Sequence, residues 1–206
     1  MSGVLINPYA VATPVLTVDD EFSGSALDPK WEWYNRATAS ASVSGGQLTL
    51  TGPGDTSMPA YLTQDVSYLV GNWAITARMG GTYNQAGGSY MGVVAYNPAN
   101  AHRATAMFIP VRSAPSSGNA FVQRREGTNF VVNLGSFFFP LTTMWLRIAL
   151  TGSTLTFWTS TDGTNFDQRA SETLAAHLGA VGRVGFFLGG LVGTAGVATS
   201  DWVTRT

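Results

Sequence analysis

Thr154-Leu155-Thr156-Phe157-Trp158-Thr159-Ser160 runs straight into Thr161-Asp162-Gly163-Thr164-Asn165-Phe166. The first seven residues alternate apolar and polar, the two-residue period of a strand with one face buried. The next six are rich in Asp, Gly and Asn and read as a turn. Just upstream, Trp145 to Leu150 forms another alternating run, and Thr151-Gly152-Ser153 between the two predicts a tight hairpin. The same grammar extends in both directions. Gln47-Leu48-Thr49-Leu50-Thr51 alternates and stops at Gly52-Pro53-Gly54-Asp55. Further strands are expected at Ala60 to Val66, Trp73 to Met79, Tyr90 to Tyr96, Arg103 to Val111, Ala120 to Arg125, Phe130 to Leu134, Arg183 to Leu188 and Thr199 to Thr204. Glu172 to Leu178 predicts one short helix of about two turns.

A chain of 206 residues suits one all-β domain. Many short strands without a repeat of 20–50 residues disfavour a propeller or solenoid. They predict a two-sheet antiparallel β-sandwich, best matched by a jelly roll. Residues 1–16 hold two prolines and no alternation, so they read as an extended N-terminal arm ahead of a sandwich at 17–206.

Composition narrows the function classes. A formal net charge of −1 opposes nucleic-acid binding, which needs a basic face. Charged residues are 11%, well below the roughly 25% of ordinary domains, so the surface is largely Thr, Ser, Gly, Ala and Asn. Such a surface fits a protein packed against neighbours, or an adhesin; a compositional habit of the source is the alternative. The absence of cysteine removes disulfides and thiolate metal sites, and His102 and His177 are too far apart in sequence for a metal-spaced pair. No run reaches the ~18 apolar residues of a membrane span, and the first residues lack the layout of a secretory signal. The expected setting is therefore a virus particle released by lysis, with export by another route or a cytoplasmic location as alternatives.

The near end of the chain carries Asp19-Asp20-Glu21-Phe22, Leu27-Asp28-Pro29 and Trp31-Glu32-Trp33. Later come Trp145-Leu146-Arg147, the Ser160 to Phe166 turn, Val184-Gly185-Phe186-Phe187 and Asp201-Trp202-Val203. In this order and spacing they resemble the concanavalin A-like lectin/glucanase jelly rolls, especially the non-catalytic modules of bacterial β-xylosidases. The likeness runs from about Thr17 to the end, and the 1–16 arm has no counterpart in it. The resemblance implies a structural Ca²⁺ between the first and last strands, with Asp20, Glu21 and Asp201 at the matching positions; solvated or turn-capping carboxylates are the alternative. Glucanases of this fold carry a Glu-x-Asp-x-x-Glu strand, whose carboxylates stand about 5 Å apart. Only four glutamates occur here, Glu21, Glu32, Glu126 and Glu172, and no two are within five residues, so catalysis is not expected.

Sugars stack their C–H faces on rings and bond their hydroxyls to Arg, Asn and Asp. Trp33, Tyr34, Arg36, Tyr83, Tyr90, Tyr96 and Arg103 are the glycan-binding candidates, with Tyr90 and Tyr96 on one strand face. Core packing is the competing reading for each ring. Phe137-Phe138-Phe139 cannot all face inward on one strand, which marks an interface or a bulge. Three functions remain open. One is a non-catalytic structural, decoration or adhesion protein of a phage particle, joined to other virion subunits or to itself through the arm and able to bind cell-surface glycan. The second is a free-standing carbohydrate-binding module or lectin. The third is a glycoside hydrolase with an unrecognised carboxylate pair.

Overall fold

The computed structural model describes residues 19–52, 59–82, 89–111, 118–127, 129–139, 143–189 and 197–205. Their strands are β1 (Glu32–Tyr34), β2 (Ser40–Ser44), β3 (Gln47–Thr51), β4 (Ala60–Asp65), β5 (Trp73–Thr82), β6 (Ser89–Asn97) and β7 (Arg103–Val111). These are followed by β8 (Gly118–Glu126), β9 (Asn129–Phe139), β10 (Thr143–Thr151), β11 (Thr154–Ser160), β12 (Asp167–Thr173), β13 (Arg183–Gly189) and β14 (Val197–Arg205). They form two seven-stranded sheets, ordered β1-β4-β13-β6-β7-β8-β9 and β12-β11-β10-β5-β14-β3-β2. Every pairing is antiparallel. The protein is an all-β sandwich of the jelly-roll kind.

Alternation decides what lies between the sheets. Met144, Leu146 and Ile148 of β10 point inward with Leu155 and Phe157 of β11, and meet Leu62, Met107, Val122 and Phe186 of the other sheet. The opening turn is fastened to this core. Asp20 Oδ1 accepts the Phe22 N–H at 2.8 Å, and Oδ2 accepts the Trp31 indole N–H at 2.8 Å. Phe22 and Trp31 then pack with Phe186 at ring separations of 5.3–6.4 Å. The β10–β11 hairpin pairs Thr151 with Thr154, and Gly152 takes the positive φ (58°) that so short a turn needs. Asp162 builds the following turn. Its Oδ1 accepts the N–H groups of Thr164 and Asn165, both at 2.8 Å, and its Oδ2 accepts the Asn165 side-chain amide. These bonds hold its carboxyl well below the usual carboxylate range, the Asn165 N–H most of all.

The helix expected over Glu172 to Leu178 is not there. The chain stays in β12 through Thr173, with Glu172 opposite Leu155, and makes one 3₁₀ turn at Leu174–Ala176. Two things stop a helix. The Glu172 side chain turns inward to Arg124, and the N–H groups of His177 and Gly179 both close on the Leu174 carbonyl. Phe137-Phe138-Phe139 likewise belongs to β9, paired with Ala120, Asn119 and Gly118. Phe137 is half-buried against the core, with the Arg169 guanidinium 4.8 Å from its ring centre. The side chains of Phe138 and Phe139 lie outside the described residues, as does the 1–16 arm.

Candidate functional site

The outward face of the β1-β4-β13-β6-β7-β8-β9 sheet is aromatic rather than polar, which an antiparallel sheet with one solvated face would not require. Its neighbours in space are Tyr34 (β1), Tyr61 (β4), Phe187 (β13), Tyr90 and Tyr96 (β6), Phe108 (β7) and Phe121 (β8). Tyr34 lies 5.5 Å from Tyr61 and 5.3 Å from Tyr96, and Tyr61 lies 5.9 Å from Phe187. Phe187 stacks on Phe108 at 4.8 Å, which adjoins Tyr90 and Phe121 at 5.3 and 5.7 Å. The band thus crosses six strands. Gly92 makes it possible. It sits between Phe187 and Phe108 in register, and a Cβ there would fall 1.9 Å from the Met107 carbonyl oxygen.

The band is graded in exposure. Tyr61, Phe187 and Phe108 are buried, Tyr34, Tyr90 and Phe121 are half-buried, and His102 at one end is exposed. His102 stacks on Tyr34 with ring centres 4.6 Å apart and planes 20° from parallel. Its Nδ1 is 2.5 Å from the Tyr96 hydroxyl. Burial pushes the Tyr96 phenol up to about 12 and raises that of Tyr61 as well. Both hydroxyls are therefore neutral at ordinary pH. Tyr61 donates to the Gly127 carbonyl at 3.0 Å. The Tyr96 hydroxyl and His102 Nδ1 share one hydrogen bond, whose direction follows the imidazole tautomer.

Backbone strain gathers at this same end. Asn35 and Ala37 follow Tyr34, Ala101 and His102 form the β6–β7 turn, and all four have φ between 44° and 53°. Left-handed backbone at non-glycine residues costs energy and concentrates at ligand-holding loops. The loops are cross-tied. Asn35 donates to the Pro59 carbonyl at 3.0 Å, and the Gly127 N–H donates to the His102 carbonyl at 3.1 Å. Arg125 carries positive charge into the middle of the band, its guanidinium 5.2 Å from the Phe187 ring centre. Burial lowers its pKa, while the nearby Tyr61 opposes that shift.

Of the glycan candidates, Tyr34, Tyr90 and Tyr96 reach this face, Tyr34 and Tyr96 together and Tyr90 toward the opposite end. Trp33 faces the core with the Arg36 guanidinium 5.8 Å from its ring centre, and Arg36 donates to the Ala39 carbonyl. Arg103 is paired with Glu126 at 2.9 Å and donates to the His177 carbonyl. Tyr83 lies outside the described residues. Tyr61, His102, Arg125 and Phe187 were not among the candidates. Outward parity with Tyr90 and Tyr96 would have found Tyr61 and Phe187 only once the strand order was known.

Of the residues expected to hold calcium, Asp20 is engaged in the opening turn. Both its oxygens accept N–H bonds, and the Lys30 ammonium stands 3.3 Å from Oδ2. A cation at Oδ2 would meet the Lys30 ammonium, while Oδ1 accepts a single N–H. Glu21 is exposed, and the Asp201 side chain lies outside the described residues. Among the described residues no three of His, Cys, Asp and Glu gather in a metal-holding group.

No protein-family profile and no curated protein matches this chain. Solved structures do. A GH43 protein of Bacillus licheniformis superposes with a TM-score of 0.68 at 16% identity, over 91% of this chain and 38% of its own. The xylan beta-1,4-xylosidase of Bacillus halodurans C-125 gives 0.61 at 14% identity, over 91% and 38%. The VIP36 exoplasmic/lumenal domain, in its Ca²⁺/Man3GlcNAc-bound form, gives 0.57 at 12%, over 89% and 84%. This is a shared fold. The likeness is to a concanavalin A-like sandwich, and the chain spans about two-fifths of the length of those two bacterial proteins. No helix among the described residues is long and apolar enough to cross a membrane.

Proposed function

We propose that the chain is a non-catalytic carbohydrate-binding protein that holds a sugar at the Tyr34–His102 end of its aromatic sheet face. The carrying observation is the exposed His102 ring stacked on Tyr34 and fixed by Tyr96, between loops held in strained backbone. A ring pair offers a surface for sugar C–H groups, and the His102 Nε2 offers a hydrogen bond to a hydroxyl. Fixing the ring before binding lowers the ordering cost of the complex.

The nearby carboxylates support binding over hydrolysis. Glu126 is held by Arg103, Glu32 by Arg183 at 2.9 Å, and Glu172 is inside the sandwich with Arg124. A two-carboxylate mechanism needs one acid and one base or nucleophile facing the same bond. The neighbouring fold is used both by glycoside-hydrolase proteins and by a lectin, so it accommodates either outcome.

A glycan array followed by calorimetry tests the reading. Tyr34→Ala and His102→Ala are expected to weaken the best ligand at least about tenfold, the loss of one good stacking or hydrogen-bond contact, with an unchanged circular-dichroism spectrum. An array with no ligand, or full affinity in both variants, would refute it. The particle-borne setting is proposed on sequence grounds, with residues 1–16 as the anchor. Deleting residues 2–16 should leave the sandwich folded and abolish assembly.

A further inference from the structure

The outward face of the other sheet carries its own line of chemistry. Met144, Leu146 and Ile148 of β10 face the core, so Trp145 and Arg147 face out. By the same parity Thr76 of β5 and Thr156 and Trp158 of β11 face out as well. Register puts four outward residues in one row. Thr76 stands opposite Arg147, Arg147 opposite Trp158, and Trp158 opposite Gln168 of β12. A bulge interrupts the β11–β12 pairing here, and its extra residue is Arg169. Arg169 lies over Phe137 and Ala170 packs on the core, so both turn inward. The exposed Gln168 keeps the side of Trp158.

The cation and the ring of this row are both held in place. Arg147 Nε donates to the Thr76 hydroxyl at 2.8 Å, and its guanidinium carbon lies 3.6 Å from the Phe166 ring centre. Nη1 and Nη2 of Arg147 bond to no described residue, and none of the described ion pairs uses Arg147. Partial burial alone lowers its pKa, so no carboxylate is near enough to counter the charge. The Trp158 indole N–H donates to the Thr156 hydroxyl at 2.8 Å, two residues back on the same strand. That bond lays the ring along β11. Trp31 and Trp73 are buried in the core, whereas Trp158 is half-buried and packs in neither apolar cluster. Arg78, one outward row away, is already stacked on Trp145 at 5.2 Å.

A guanidinium edge, a flat ring and an amide in line suit one kind of molecule. Neighbouring strands are ~4.8 Å apart, so Arg147 and Gln168 bracket Trp158 across roughly 10 Å. A planar carboxylate takes two guanidinium nitrogens side by side. The C–H face of a pyranose covers an indole, and an amide bonds hydroxyls at its far side. We infer that Arg147, Trp158 and Gln168 form a second sugar site, specific for a hexuronate. Its carboxylate lies on Arg147, its ring over Trp158 and its hydroxyls at Gln168. The inference does not rest on the Tyr34–His102 reading, which concerns the opposite sheet.

Methyl hexuronosides of gluco, galacto and manno configuration, each beside its uncharged methyl ester, test this on the unmodified chain by NMR. The preferred acid should shift the Trp158 indole N–H and the Arg147 Nε–H. Its ester should bind at least about tenfold more weakly, having lost a charge-assisted pair of bonds. Arg147→Gln and Trp158→Leu should each weaken the acid by about the same factor, with unchanged circular-dichroism spectra. No response to any of the acids, or equal binding of acid and ester, overturns the inference. So does a capped glutamate that binds as well as the sugar acid, which would leave Arg147 to an acidic peptide. Binding kept in Arg147→Gln and lost in Tyr34→Ala overturns it too, because the acid would then sit on the opposite sheet.

Discussion

The Tyr96 hydroxyl and His102 Nδ1, 2.5 Å apart, join a buried strand residue to an exposed turn residue. That bond sets the direction of the His102 ring. Replacing Tyr96 by Phe keeps the ring packing and removes only the bond. The expected cost is about 1 kcal/mol of stability. Sugar affinity should fall severalfold because the imidazole loses its fixed orientation. Nitrogen NMR of the imidazole and calorimetry on the array ligand read the two effects separately. Unchanged affinity with a changed imidazole spectrum would remove His102 from the site.

Gly92 is a stronger dependence than any single ring. Its would-be Cβ meets backbone, at 1.9 Å from the Met107 oxygen and 2.5 Å from the Phe108 Cα. Neither atom can rotate away. Gly92→Ala should cost more than about 3 kcal/mol and separate the Phe108–Phe187 stack. Gly45 is the control. It has positive φ (59°) but open space around it, so Gly45→Ala should cost only the roughly 1 kcal/mol of a left-handed alanine. Denaturant melts of the two variants compare them. Equal losses would show that the neighbouring strand moves aside for the added Cβ at Gly92.

Stability should narrow from both ends of the pH scale. Tyr96 ionises near 12 in the fold and near 10 in the unfolded chain, so the unfolded state alone gains phenolate between those values. Its contribution is full below about pH 10 and is lost as pH rises toward 12. Asp162 works at the acid end. Its depressed carboxyl contributes above about pH 4 and loses that contribution as pH falls further. Tyr96→Phe should flatten the alkaline limb of a melting-temperature profile, and Asp162→Asn the acid limb. A Tyr96→Phe profile that falls as steeply as the parent's between pH 10 and 12 would count against the buried phenol.

Strands were legible wherever alternation was clean. Gln47–Thr51, Arg103–Val111 and Thr154–Ser160 have the bounds that the pattern predicts. The missed strands lack that contrast. Ser-Ala-Ser-Val-Ser in β2 has only Val43 fully buried, and β12 is an edge strand whose Ser, Glu and Thr residues gave no apolar run. Glu172 misled because a buried carboxylate leaves no local trace; its partner Arg124 is 48 residues away. The site failed to appear whole for a similar reason. Tyr90 and Tyr96 share a face by parity, but Tyr61 and Phe187 join them only because β4 and β13 insert between β1 and β6. That order is a long-range fact, and no short window of sequence contains it.

Glu172 and Arg124 are the interior polar link between the two sheets. Arg124 Nε is 2.7 Å from Glu172 Oε2, the Thr105 hydroxyl donates to Oε1, and the Glu172 side chain is 1% exposed. Close by, His177 Nε2 lies within 3.2 Å of the Ala104 and Arg125 carbonyl oxygens, so it carries a proton and donates to them. Removing one charge strands the other where water reaches it poorly. Glu172→Ala should therefore cost about 3 kcal/mol or more. Removing both should cost less: Glu172→Leu with Arg124→Met takes away the desolvation penalty along with the attraction, and buried pairs replaced by apolar residues often lose nothing. Chemical denaturation of Glu172→Leu, Arg124→Met and the double completes the cycle. If the double variant were as unstable as the sum of the singles, the two residues would be acting independently. The link between the sheets would then rest on packing alone.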